Sequence, residues 1–278
     1  MSDTALSIDG VTVPRVLYGT AWKEAETQRL TELALRQGFR GIDTANQRKH
    51  YFEAAVGQGI AASGMPRAEL FLQTKFTFRG GQDHRLPYDP AAPIGAQVEQ
   101  SFASSLQHLG TDAIDSYVLH GPSTRSGLAP ADWEAWRAME ALHASGRTRL
   151  LGVSNLTLEQ LQELWRGARV KPRFVQNRCY AVRGWDRAVR AFCAANGLTY
   201  QGFSLLTGNR DVLAHRELAR IASRHGRDVN QVVFRFALAM GMVVLIGTTR
   251  ASHMRADLDT SGFDLEPDEV ARIERIAG

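Results

Sequence analysis

Apolar and polar positions follow two different periods along this chain. At the start they alternate: Leu6 and Ile8 flank a serine, Asp9-Gly10 is a two-residue turn signal, and Val11-Thr12-Val13 answers it, so the opening reads as a small β-hairpin. Beyond it, short apolar runs take turns with longer amphipathic stretches. Val16–Tyr18 precedes a helix over 25–37, Phe39–Ile42 a helix from Glu53, and Leu70–Gln73 a long loop and a helix over 95–109. Ser116–Leu119 precedes a helix near 131–145, and Leu150–Val153 precedes Thr157–Trp165, where Thr157 and Gln160 form a capping box. Phe174-Val175 leads to a helix from 185, Leu198–Leu206 to helical sequence reaching 240, and Val243–Ile246 to the last helices.

Eight strand-like runs, each followed by a helix, imply parallel strands joined by crossover helices. An open doubly wound sheet would carry a GxGxxG turn after its first strand; the residues there are Gly19-Thr20-Ala21-Trp22-Lys23. The pattern therefore predicts an α/β (β/α)8 TIM barrel with an N-terminal β-hairpin. The 278 residues are expected to form one domain, 1–278, since barrels of this kind run to about 250 residues.

Nearly every apolar run ends on a polar residue that a core would not choose. The second ends at Asp43, the third at Lys75, the fourth at His120, the fifth at Ser154-Asn155 and the sixth at Gln176-Asn177. Ser204 ends the seventh and Thr248-Thr249-Arg250 the eighth. A closed barrel gathers all of these on one face, which points to a shared site. There Asp43 would pair with the Lys75 ammonium and keep it charged, and an ammonium beside a tyrosine would pull that phenol from about 10 towards neutrality.

Composition narrows the classes. With 44% hydrophobic and 22% charged residues, the chain is neither disordered, collagen-like nor a coiled-coil rod. The only cysteines, Cys179 and Cys193, form no CxxC pair, and reduced thiols suit a cytoplasmic protein. The N-terminus has no signal-peptide pattern, and the longest apolar stretch, near Phe236–Ile246, is too short to span a membrane. The net charge of +4 is scattered, so neither a nucleic-acid nor a membrane partner is expected. A metal centre is not expected either, with one histidine and one carboxylate among the strand ends.

At these residues the chain resembles the aldo-keto reductases, β/α-barrel oxidoreductases that use a nicotinamide cofactor. The resemblance rests on Gly38–Ala45 (GFRGIDTA), Leu70–Lys75 (LFLQTK), Asp115–Pro122 (DSYVLHGP), Leu151–Asn155 (LGVSN), Lys171–Asn177 (KPRFVQN) and Ile246–Asp257 (IGTTRASHMRAD). It implies reduction of an aldehyde or ketone with NADPH, rather than NADH, through an Asp, Tyr, Lys and His tetrad. Asp43, Lys75 and His120 match three members. The tyrosine usually comes five residues after the aspartate, where this chain has Arg48; the nearest tyrosine is Tyr51, eight residues on, before Glu53 and Gly57 restore the pattern. Tyr51 is therefore expected to reach the site on a longer loop and act as the general acid.

The resemblance also assigns the cofactor site. Ser154, Asn155 and Gln176 would hold the nicotinamide carboxamide, satisfying both of its ends, and Phe203 would stack on the ring. Gly19, Thr20 and Asp43 lie on the same side, with Ser204, Leu206 and the Thr207-Gly208-Asn209 loop against the pyrophosphate. At the adenosine end Gly247 and His253 stand where many members have a phosphate-binding lysine and arginine, leaving Thr248, Thr249, Arg250 and Asp257, with Arg250 as the phosphate fork. Trp22, Tyr51, His120 and Gly121 would shape the substrate pocket, and the Arg79–Gly95 loop, with His84, Arg85 and Tyr88, would overhang its mouth. The implied partner is a small carbonyl or alcohol, and the implied assembly a monomer or weak oligomer. The resemblance leaves two alternatives: alcohol or lactol oxidation with NADP⁺, or a cofactor-binding regulatory subunit on the same barrel.

Overall fold

The opening hairpin forms as its turn signal predicts, because Asp9 and Gly10 both take positive φ, at 49° and 76°, the twist that a two-residue connection requires. In the structure, a computed structural model that describes residues 4–277, β1 (Ala5–Ile8) pairs antiparallel with β2 (Val11–Pro14). Residues 1–3 and 278, the ends of the expected domain, lie outside the described residues. Val11 and Val13 turn inward and join Leu17, Phe71, Leu150, Phe174 and Val243 in one apolar cluster, so the hairpin closes one end of a barrel.

Eight parallel strands form that barrel, and it is fully closed. They are β3 (Val16–Gly19), β4 (Gly41–Asp43), β5 (Phe71–Phe76), β6 (Ile114–Leu119), β7 (Thr148–Ser154), β8 (Phe174–Arg178), β9 (Thr199–Phe203) and β10 (Val243–Ile246), with β10 hydrogen-bonded back to β3. Their sequences are short continuous apolar runs because both faces are covered; in β5 and β6 every residue is buried. The helices stand outside: α1 (Thr27–Arg36), α2 (Glu53–Ser63), α3 (Ile94–Leu109), α4 (Pro130–Ala144), α5 (Leu158–Gly167) and α6 (Arg187–Asn196) each connect one strand to the next. The helical sequence before β10 divides into α7 (Arg210–Leu213), α8 (Arg216–His225) and α9 (Val229–Ala239), and α10 (Ala251–Leu258) and α11 (Pro267–Glu274) complete the chain. Thr157 and Gln160 form the expected capping box at α5.

The helix expected from 185 starts two residues later, at Arg187. Gly184, Trp185 and Asp186 are all left-handed, with φ of 64°, 56° and 56°. Each such non-glycine residue costs about 1–2 kcal/mol, so something must hold them. Trp185 is fully buried, packs 5.0 Å from Phe236 and donates its indole N–H to the Ile273 carbonyl at 3.2 Å. The Asp186 carboxylate accepts from Asn177 at 3.0 Å and from the Tyr200 hydroxyl at 2.9 Å.

Where α2 crosses α3, the approach is too close for a side chain. A Cβ on Gly57 would stand 1.9 Å from the His108 carbonyl oxygen, which is backbone and cannot swing aside. Gly57→Ala is expected to lower the unfolding free energy by about 1–3 kcal/mol despite alanine's better helix propensity. Urea denaturation measures this, and an unchanged midpoint would refute it.

Candidate active site

Asp43 and Lys75 leave adjacent strands at the C-terminal rim of the barrel and meet inside it. The Lys75 ammonium is wholly buried; it lies 2.7 Å from each Asp43 oxygen and donates also to the Thr44 carbonyl at 2.8 Å. Burial pulls the ammonium below its usual range, with Asp43 opposing. Above this pair opens a cleft of about 800 Å³. Asp43, His120, Ser154, Asn155, Gln176, Ser204 and Thr248 line it, so seven of the strand-end polar residues share one space. A larger groove, about 1170 Å³, runs beneath the hairpin at the opposite ends of the strands, away from these groups.

Residues 48–50 form a turn, as the longer loop expected from the resemblance requires, with the amides of His50 and Tyr51 both donating to the Gln47 carbonyl. The turn carries Arg48 outward, its guanidinium 4.0 Å over the Phe52 ring, and brings Tyr51 into the cleft. The Tyr51 ring centre lies 5.4 Å from the Lys75 ammonium and 5.9 Å from the His120 ring, edge to face. The direction of the phenol's pKa differs from the sequence expectation. Burial and the Asp43 carboxylate push it above its ordinary value, since the Lys75 charge is already matched by Asp43. The phenol therefore stays protonated, as a proton donor must before it acts. His120 shares its Nδ1 with the Thr77 hydroxyl at 2.6 Å, and burial, with Lys75 and His50 adding, pushes it down to about 3. It is a neutral imidazole.

The amide groups of the rim are oriented by the acceptors around them. Asn155 donates both N–H bonds, to the His120 carbonyl at 2.8 Å and to the Ser154 hydroxyl at 3.0 Å, while that hydroxyl donates to the Gln176 carbonyl at 2.6 Å. Gln176 donates to Asp43 at 3.0 Å and to Gln201 at 2.9 Å. Among the described residues, Asn155 Oδ1 and Gln176 Oε1 are left without a hydrogen bond in residues that line the cleft. The trio thus offers carbonyl oxygens, suited to one end of a primary amide rather than both.

Phe203 and Leu206 line the cleft near Arg178, whose guanidinium stands 5.4 Å over the Phe203 ring. Asn209 faces away and acts as a brace, accepting from Ala181 N and donating to the Cys179 and Leu205 carbonyls. Asn177 also points away, to Asp186. At the far end Gly247, Thr248, His253 and Asp257 line the cleft, and burial pushes the Asp257 carboxyl up to about 7. Lys23 hydrogen-bonds the Gly247 carbonyl, and its ammonium lies 3.3 Å from where a side chain at 247 would begin.

Besides Gly208 and Asn209, three expected cofactor residues stand outside the cleft lining. Thr20 is buried and donates to the Asp43 carbonyl at 3.1 Å, while Thr249 and Arg250 are exposed where the chain enters α10. Gly19, Trp22 and Gly121 do line it; Trp22 is 68% exposed and stacks 4.0 Å from His50. Of the Arg79–Gly95 loop only Gly81 reaches the cleft. Tyr88 is buried with its hydroxyl on the Thr77 carbonyl, and Arg85 pairs with Asp83. Reading strand ends missed Lys23, Arg178, Gln73 and Gln201. Gln73 and Arg178 lie two residues from Lys75 and Gln176, and Gln201 two from Phe203, a period-2 signal the sequence does carry.

A buried Asp–Lys pair thus lies under a phenol and a neutral imidazole at the C-terminal rim of a parallel barrel. Residues 17–277 match the aldo/keto reductase family model, and the chain belongs to that family. It is 29% identical to the glyoxal reductase of Bacillus subtilis, over 99% of this chain and 93% of that protein. It is 31% identical to an aldo-keto reductase of Mycobacterium marinum, over 95% of this chain and 88% of that one. Among solved structures, an aldo/keto reductase from Brucella melitensis superposes with a TM-score of 0.82 at 26% identity, covering 98% of both chains. Among the described residues, no helix is long and apolar enough to cross a membrane.

His120 is expected to remain neutral through the physiological range, because burial and the Lys75 charge both disfavour the imidazolium. Its ring proton resonances should not shift between about pH 5 and 8, where an ordinary histidine titrates; a midpoint inside that window would refute the environment described.

Proposed function

We propose that this protein is an NADPH-dependent reductase of aldehydes or ketones. The observation that carries this reading is Tyr51, held protonated in the cleft beside the Lys75–Asp43 pair and the neutral His120. The cleft also suits a nicotinamide cofactor. Asn155 and Gln176 spend their N–H bonds on the protein, which leaves their carbonyl oxygens to accept from a carboxamide, and Phe203 supplies a ring for stacking. When bound, the cofactor supplies the hydride for the carbonyl carbon.

The protein's own residues handle the oxygen. Tyr51 donates its O–H proton to the carbonyl oxygen as negative charge develops there, and the nearby Lys75 ammonium stabilises the phenolate left behind. Asp43 keeps the ammonium charged and in place. The neutral His120 ring is available as a hydrogen-bond partner that orients the carbonyl without adding a competing charge. The Bacillus subtilis relative, a glyoxal reductase, supports a small aldehyde as the first substrate to test. Lys23, Arg178 and His253, which line the cleft, support a phosphorylated dinucleotide, with the exposed Arg250 beside its far end as a further phosphate contact.

Tyr51→Phe is expected to lower kcat for NADPH-dependent glyoxal reduction by about 10²–10⁴-fold while leaving NADPH affinity unchanged. Activity close to wild type would remove Tyr51 from its role. With the unaltered protein, kcat/KM should favour NADPH over NADH by about tenfold or more, the value of one charge-assisted phosphate contact. A preference for NADH would overturn the cofactor assignment.

A further inference from the structure

The turn over residues 48–50 brings a second imidazole to the cleft. His50 lines it together with Tyr51 and His120. Tyr51 is the next residue in the chain, and a charge on His50 is felt at His120, where it adds to the causes that disfavour the imidazolium. Three rings that carry polar atoms, His50, Tyr51 and His120, therefore border one part of the cleft.

The backbone and the ring face of His50 have partners in the protein. Its carbonyl accepts from the Trp22 amide at 2.7 Å, and its ring lies 4.0 Å from the Trp22 ring at an angle of 34°. These contacts hold Trp22 at a φ of 62°, a left-handed conformation that is strained for a bulky residue. Neither contact uses an imidazole nitrogen, because a stack needs the face of a ring whereas Nδ1 and Nε2 lie on its edge. Among the described residues, neither nitrogen of His50 has a hydrogen-bond partner. A phenyl ring would brace Trp22 equally well, so bracing does not account for the two nitrogens.

Charge does not account for them either. His50 is half-buried; burial and the adjacent Lys49 hold its pKa below the ordinary value, with Glu24 and Asp83 opposing. At physiological pH the ring is neutral and offers one N–H donor and one acceptor. The reacting oxygen of a carbonyl is already served by the Tyr51 hydroxyl and by His120, so a further donor beside them suits a second oxygen on the same small molecule. We propose that His50 is a specificity-determining residue whose imidazole N–H binds the second oxygen of a 1,2-dicarbonyl substrate, while Tyr51 and His120 hold the oxygen that is reduced. The inference rests on the reductase reading above, and it narrows the substrates to carbonyls that carry an acceptor on the neighbouring carbon. The stack on Trp22 restricts rotation of the imidazole, so little side-chain freedom is lost when the second oxygen binds.

Steady-state reduction with NADPH tests this, with methylglyoxal and propanal as the two substrates; in propanal a CH₂ group replaces the second carbonyl. The readout is kcat/KM for methylglyoxal divided by kcat/KM for propanal. Hydration and intrinsic reactivity of each aldehyde are the same in every assay, and a general loss of packing slows both reactions alike, so a change in the ratio reports on the second oxygen. In His50→Phe, which keeps a ring against Trp22, and in His50→Leu, the ratio is expected to fall by about fivefold, the value of one neutral hydrogen bond. Either variant suffices, so failure of one to fold leaves the other to decide. A ratio unchanged from wild type, or equal loss of both activities in both variants, overturns the proposal. A wild-type protein that reduces neither aldehyde with NADPH would instead overturn the reductase reading, and this inference with it.

Discussion

The contact between the Lys75 ammonium and the Asp43 carboxylate constrains everything around it. Both groups are almost without solvent, and removing two charges from water costs several kcal/mol per ion. The structure meets that cost with complete hydrogen bonding. The ammonium reaches both carboxylate oxygens and the Thr44 carbonyl, and Asp43 Oδ1 accepts from Gln73 and Gln176 as well. Such a constellation needs groups from three strands, β4, β5 and β8, brought to one point. Only a closed sheet supplies them with every backbone group already paired, so the ion pair and the barrel depend on each other.

From this pair the electrostatics of the cleft follow. Because Asp43 matches the charge of Lys75, the ammonium does not drive Tyr51 towards phenolate, and burial leaves the phenol protonated. The same ammonium, with burial, keeps His120 uncharged. One buried charge pair thus leaves two neutral groups facing the space where a carbonyl would lie, one able to give a proton and one able to share a hydrogen bond. The rim amides extend the pattern, since Asn155 and Gln176 spend their N–H bonds on groups beneath or beside them and keep their oxygens for the cleft.

Much of the fold was legible because barrel strands buried on both faces leave continuous apolar runs, and because polar residues that end such runs have few structural reasons to be there. The longer loop before Tyr51 was legible too, from the family resemblance, which places the tyrosine five residues after the aspartate. The details that escaped have physical causes in common. The late start of α6 depends on Trp185 entering a cavity built by Phe236 and the C-terminal helix, which no local pattern records. Arg250 and Thr249 sit at a strand end like the others, but the chain enters α10 there and leaves them in solvent. The charged loop over Arg79–Gly95 resembled a rim in composition, yet its arginine at 85 pairs with Asp83 and its tyrosine packs into the core.

What the sequence determined by itself is the order of strands and helices, the barrel, and the set of polar groups delivered to one rim, because each of these follows from periodicity and from the positions where apolar runs stop. What only the tertiary structure decided is the state and sense of those groups: which phenol or imidazole holds its proton, and which end of each amide faces the cleft. Those properties come from burial and from partners more than a hundred residues away, as between Asp43 and Gln176, and a linear pattern does not contain the distance between them.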